Sequence, residues 1–224
     1  MHFFLNLYTH IHQADFKQLL NGKQFIVIQG QLIFEKDGEI VITHIDSNKS
    51  DFTAEHYKAL PEGAPYQLIN GKLHYMPSPT EKYQRTQSLI HFYLFDFIDS
   101  NDLGKLYTAP LDVYFDDDNV YQPDLMFISN KRSNIIETFI KGAPDLVIEI
   151  LSRGTAKVDR EDKLKKYGET NVLEYWIVDP EKKAIELYSN DGKELKKEAT
   201  YEYDSNLKSK VLAGFSINTK QIFR

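Results

Sequence analysis

Apolar and polar positions alternate in short blocks along most of the chain, and their periods change several times. In the first fifty residues, ADFKQLLN (14–21) predicts a short helix. KQFIVIQGQLIFE (23–35) and EIVITHI (39–45) predict two strands joined at KDG, a hairpin signal. The polar run DSNKSD (46–51) is a boundary, which makes 1–50 an N-terminal extension and 51–224 the main domain. Beyond it, DFTAEHYKAL (51–60) predicts a capped helix, and PEGAPYQLINGKLHYM (61–76) a hairpin turning at Asn70-Gly71. Apolar residues at 89, 90, 93, 94 and 97 predict a long helix over 80–101, closed by Gly104.

Strand patterns follow at 105–118, 119–129, 141–152 and 172–180, with a short helix at 159–170 and a hairpin at Asn190-Asp191-Gly192. The block KGAPDLVIEILS (141–152) is almost continuously apolar, as expected of a central strand. Helices alternating with strands in this order predict an α/β (α+β) domain: a mixed β-sheet flanked by helices.

That central strand raises a chemical question. It carries Asp145 and Glu149, and an ionised carboxylate in an apolar setting is costly. Strand alternation puts both on one face, but four residues at about 3.3 Å each separate them by roughly 13 Å, too far to share an ion. Asp124, after Pro123 in the preceding strand block, is the better partner for Glu149. Two close carboxylates repel, and a divalent cation between them removes the conflict; oxygen-only ligands suit Mg²⁺ or Mn²⁺. Lys163 and Tyr167 share a helix face at i, i+4 spacing. A lysine from that face would assist an attacking water or stabilise charge developing on phosphate. Asp159 reads as the N-cap of this helix, with Asp162 completing a box-like pattern. Ser152 and Thr155 follow the strand and are candidate phosphate contacts, and Trp176 reads as core packing. The acidic run 116–118 reads as a solvated turn.

Composition narrows the choice of chemistry. The chain has 224 residues, no cysteine and a formal net charge of −6. Disulfides and thiolate metal sites are therefore excluded, and a reducing, cytoplasmic setting is expected. The seven histidines show no metal-ligand spacing. No apolar run reaches the roughly 18 residues of a membrane helix, and the first residues make a poor signal peptide. An acidic chain lacks the field of a passive nucleic-acid binder, although a bound divalent ion can dominate the local charge. Arg153, Lys157, Arg160 and Lys166 form a basic cluster diluted by Asp159, Glu161 and Asp162, so they are expected to be weak nucleic-acid contacts.

The order of Pro-Asp strand, strand glutamate and then lysine resembles the PD-(D/E)xK nuclease superfamily. ALPEGAPYQLINGKLHYMPSPT, YQPDLMFIS, GAPDLVIEILSRGT, DREDKLKKYGETNVLEYWIVDP and LAGFSINTKQIF, in that order, resemble the Uma-type restriction endonuclease family over roughly three quarters of the chain. The resemblance implies a restriction-endonuclease-like fold, Mg²⁺-dependent hydrolysis of DNA phosphodiesters, Asp124 and Glu149 as metal ligands, Lys163 as the catalytic lysine and a homodimer. In the superfamily pattern the lysine falls two residues after the strand carboxylate, where this chain has Leu151; the Uma-type family is similar in moving it to the following helix. Two positions depart from the family. Gln67 stands where a glutamate is usual and is a neutral, site-lining ligand at best, and Tyr83 stands where a histidine is usual. These departures motivate an alternative: a catalytically weak or inactive nuclease-fold homodimer that binds nucleic acid or protein. A third reading is a metal-dependent hydrolase of a small phosphate compound.

Overall fold

The computed structural model describes residues 25–28, 31–36, 39–43, 52–60, 63–76, 78–152, 154 and 156–224. The helix expected over 14–21 and the candidate contacts Arg153 and Thr155 lie outside the described residues. Among the described residues, no helix is long and apolar enough to cross a membrane.

The N-terminal region holds three strands rather than two: β1 (Phe25–Ile28), β2 (Gln31–Lys36) and β3 (Glu39–Thr43). They pair antiparallel in sequence order, β1 closing on β2 at Ile28↔Gln31. The expected strand 23–35 is thus divided between Ile28 and Gln31 into two antiparallel strands.

The remaining elements begin with α1 (Ala54–Lys58), after an N-cap at Thr53. β4 (Tyr66–Ile69) and β5 (Lys72–Tyr75) follow, with Asn70 and Gly71 both at positive φ, the two-residue turn that Asn-Gly predicts. α2 (Glu81–Ser100) is capped by Thr80, whose hydroxyl oxygen accepts from the Tyr83 amide. Gly104 does not close this helix. It opens β6 (Gly104–Thr108) at φ +154, where a Cβ would lie 2.2 Å from the Ile128 carbonyl oxygen.

Two of the expected strands each break into a pair belonging to different sheets. The block 105–118 becomes β6 and β7 (Val113–Asp116), separated at Pro110; 119–129 becomes β8 (Asn119–Tyr121) and β9 (Leu125–Ser129), separated at Pro123-Asp124. A proline cannot donate to a ladder, so each break falls where the chain leaves one sheet for the other. β10 (Ile140–Lys141), β11 (Leu146–Ile150), β12 (Glu174–Asp179), β13 (Ala184–Asn190) and β14 (Leu195–Tyr201) complete the two main sheets. Their orders are β10-β7-β8-β4-β5 and β14-β13-β12-β11-β9-β6. Both are mixed: β11 runs parallel to β12 and antiparallel to β9, and β10 runs parallel to β7. A small pair, β15 (Asn206–Lys208) and β16 (Ser216–Asn218), precedes the terminal α4 (Thr219–Ile222).

Strand alternation assigns β11 to two layers. Leu146, Ile148 and Ile150 pack with Ile90, Leu94 and Ile98 of α2, and with Trp176 and Phe215. Val147 faces the other way, into Ile69, Tyr121, Tyr167, Tyr175 and Ile177. Glu149 shares that second face, two residues beyond Val147. The helix covering it, α3, is built from three consecutive segments: Ala156–Val158, a π-helical turn Asp159–Lys163, and Leu164–Glu169. It starts three residues before the sequence signal, so Asp159 lies inside the helix and not at its cap.

Candidate active site

The β9–β11 register pairs Ile148 with Leu125. One further step sets Asp124 opposite Glu149, and side chains so paired have Cβ atoms about 4.5–5.5 Å apart. The switch between sheets at Pro123 therefore delivers Asp124 beside the strand glutamate. Helix α3 supplies the counter-charge from above. Lys163 Nζ lies 2.9 Å from Glu149 Oε1 and 3.2 Å from Asp159 Oδ1. Tyr167, one turn further on, donates its hydroxyl to the same Glu149 Oε1 at 2.6 Å. All of these side chains are buried; Lys163 is 3% exposed and Glu149 3%.

The π-helical turn is bracketed by Asp159 and Lys163, and such turns recur at functional sites. Asp159 was expected as an N-cap. It is instead a third buried carboxylate, and its Oδ1 has no aligned hydrogen-bond donor. The spacing Asp159, Lys163, Tyr167 was the signal for it: three residues four apart, on one side of a helix, aimed at one strand. The Asp159 carbonyl accepts from the Tyr175 hydroxyl at 3.1 Å. Tyr121, Tyr167 and Tyr175 stack edge-on around the cluster, with Lys163 Nζ 5.9 Å from the Tyr121 ring centre. Of these, Tyr167 follows from its i, i+4 spacing to Lys163; no strand pattern singles out Tyr121 and Tyr175, because a buried aromatic reads as core whether it walls a site or not.

Asp124 is held from two sides. Its Oδ2 accepts from the Ile150 amide at 2.6 Å, and its Oδ1 from the Tyr83 hydroxyl of α2. One turn along α2, Gln87 donates its amide to the Asp124 carbonyl at 2.9 Å. Tyr83 and Gln87 thus clasp the same residue.

Three carboxylates face one lysine, a formal excess of two negative charges in a dry setting. Burial pushes Glu149 up to about 8, with Asp124 and Asp159 adding to the rise and Lys163 opposing it. Burial likewise pushes Asp124 up to about 6, against Lys163, the Tyr83 hydroxyl and the Ile150 amide. For Lys163, burial alone would lower the pKa, but Glu149, Asp159 and Asp124 outweigh it and hold the ammonium above its ordinary value. The opposite demands of Glu149 and Lys163 are compatible, because one cation cannot neutralise three anions. Burial raises Tyr83 as well, with Asp124, Glu149 and Asp159 all acting on its hydroxyl.

The other candidates divide. Gln67 stands on the face of β4 that also presents Ile69 to the tyrosine cluster. It is 7% exposed, its Nε2 donates to Met76 Sδ, and its Oε1 is buried without a hydrogen-bond partner. Ser152 lies half-buried just after β11. Asp145 is structural: Oδ2 accepts from the Ser129 amide at 2.7 Å and Oδ1 lies 3.4 Å from Arg132 Nε. Two of the expected basic contacts are spent on protein carboxylates. Arg160 binds Glu186 through Nη2 at 2.7 Å, and Lys166 Nζ binds Asp116 Oδ2 at 2.8 Å. Lys157 stays largely exposed, 3.9 Å from Glu161. Asp116, read as part of a solvated turn, anchors Lys166 and Asn119.

The donor set fits a hard divalent cation: oxygen ligands only, from carboxylates that outnumber the single lysine facing them. Among the described residues, no three His, Cys, Asp or Glu side chains already converge as an open metal cage. Lys163 and Tyr83 stand between them.

A family model described as "Uma2: Putative restriction endonuclease" matches residues 54–220. A crystal structure from Anabaena variabilis, described as a "putative nuclease belonging to DUF820", superposes with a TM-score of 0.66 at 21% identity, covering 77% of this chain and 97% of that one. The α+β core therefore has a restriction-endonuclease-like fold. No curated protein matches the chain.

Proposed function

This chain belongs to the Uma2 family, and on that premise we propose that it is a divalent-cation-dependent endonuclease acting on DNA, with its site at Asp124, Glu149 and Lys163. The observation that carries the reading is the buried trio Asp124, Glu149 and Asp159 around a single lysine. A structural ion pair needs one carboxylate per lysine. Three buried carboxylates against one lysine leave a surplus that, without a metal, is met by Glu149 keeping its proton up to about pH 8, and a divalent ion that displaces this proton is its natural complement.

Asp124 and Glu149 would hold Mg²⁺ or Mn²⁺, which when bound polarises a phosphodiester and lowers the pKa of water. The chain's own groups do the rest. The Ile150 amide fixes Asp124, and the Tyr167 hydroxyl fixes the Glu149 carboxylate that Lys163 also touches. Lys163 is kept protonated, so it serves as an electrostatic partner for charge developing on phosphate and not as a base. Burial among tyrosines keeps bulk water from screening that charge. With Arg160 and Lys166 engaged by protein carboxylates, DNA affinity rests little on this helix, and cleavage is expected to be favoured by low salt. The family resemblance extends the proposal to a homodimer working in the cytoplasm.

The test is cleavage of plasmid DNA in Mg²⁺ or Mn²⁺, with wild type, Glu149→Gln and Lys163→Met. The reading requires wild type to cut, EDTA to stop it, and Lys163→Met to lose about 10²–10³ in rate. A wild-type protein that cuts no nucleic acid in either metal would replace the enzyme by a non-catalytic binding module of the same fold.

A further inference from the structure

The Tyr83 hydroxyl donates a hydrogen bond to Asp124 Oδ1, and Asp124's other oxygen is already committed to the Ile150 amide. Asp124 therefore offers no carboxylate oxygen that is not already the target of a donor. We propose that Tyr83 competes with the divalent cation for Asp124, so that a hydrogen bond from α2 sets the metal affinity of the site. The inference rests on the reading of Asp124 and Glu149 as cation ligands and adds a determinant that reading lacks.

Three features make this more than an incidental contact. The hydroxyl is bonded to Asp124 and also feels the charge of Glu149 and Asp159. Its ring packs against the core formed by α2 and the six-stranded sheet, so the donor is held in place. Gln87, four residues along the same helix, binds the main chain of the same aspartate, which fixes α2 against Asp124 whether or not the hydroxyl is there. Where the cation takes the Oδ1 lone pair that the hydroxyl now occupies, binding exchanges the tyrosine's hydrogen bond for a metal–oxygen bond, and removing the hydroxyl removes that exchange while leaving Asp124 held by the Ile150 amide and by Gln87.

The experiment is Mn²⁺ titration by calorimetry on the full chain at pH 7.5. It compares wild type, Tyr83→Phe, Tyr83→Leu and the double variant Tyr83→Phe/Glu149→Gln, with plasmid cleavage run in parallel. Tyr83→Phe is expected to bind Mn²⁺ about tenfold more tightly, the scale of one charge-assisted hydrogen bond. Tyr83→Leu shifts the same way, and the double variant loses the gain. Unchanged affinity, weaker affinity, or no Mn²⁺ binding in the single variants overturns the inference. The two claims separate cleanly. Tighter Mn²⁺ binding through Glu149 with no DNA cleavage by any form keeps the inference and removes the nuclease reading. Cleavage by wild type with no change in affinity in Tyr83→Phe does the reverse.

Discussion

Replacing Glu149 by glutamine should stabilise the metal-free protein at alkaline pH, although it removes a partner of a buried lysine. In the folded chain Glu149 titrates at about 8, against an ordinary 4.5. Between these values the unfolded chain has released the proton and the folded chain has kept it. The folded state binds more protons, so stability falls as pH rises through the window and levels off above it. At about 1.4 kcal/mol per pKa unit the loss is at most roughly 4–5 kcal/mol. Asp124, raised to about 6 from 3.8, adds a loss of the same sign at lower pH, and the two titrate as a pair. Glutamine is nearly isosteric with protonated glutamate, and its carbonyl can still accept from Lys163 or Tyr167. Urea unfolding in EDTA at several pH values from 5 to 9 should therefore find wild type and Glu149→Gln close together at pH 5. By pH 8 the variant should be ahead by about 2–4 kcal/mol. Parallel stability curves, or a variant weaker than wild type at pH 8, would refute the claim that the cluster carries surplus negative charge.

Lys163→Met should have the opposite effect, costing about 3–5 kcal/mol at pH 8 in the same assay, because it strands three carboxylates without a cation. The cost should shrink toward pH 5, where the carboxylates take up protons. Gly104→Ala should lower stability by about 2 kcal/mol or more, seen as a fall in thermal midpoint, since the new Cβ would meet the Ile128 carbonyl at 2.2 Å and the backbone sits at φ +154. A fall of a degree or less would mean that β6 relaxes away from β9.

The strand and helix periods were legible wherever local chemistry agreed with the fold. The Asn70-Gly71 hairpin, the long α2 and the apolar β11 followed directly from turn residues and periodicity. What periodicity could not show was that the chain changes sheets at Pro110 and Pro123, since a strand leaving one sheet for another keeps its alternation on both sides of the break. The same limit applied to the site. Glu149, Lys163 and Tyr167 meet as their spacing implies. Asp159 was read as a cap because an acidic residue near a helix start usually is one, and only the earlier start of α3 at Ala156 carries it inward. Arg160 and Lys166 looked available because their partners, Glu186 and Asp116, are distant in sequence.

If this carboxylate cluster binds a divalent cation as proposed, anomalous diffraction from crystals of the wild-type protein soaked in Mn²⁺ will show it. The expected peak lies within about 2.0–2.6 Å of a carboxylate oxygen of both Asp124 and Glu149, with the Tyr83 hydroxyl displaced from Asp124. A soaked crystal with no peak there, and with Tyr83 and Lys163 still bonded to Asp124 and Glu149, would contradict the proposal.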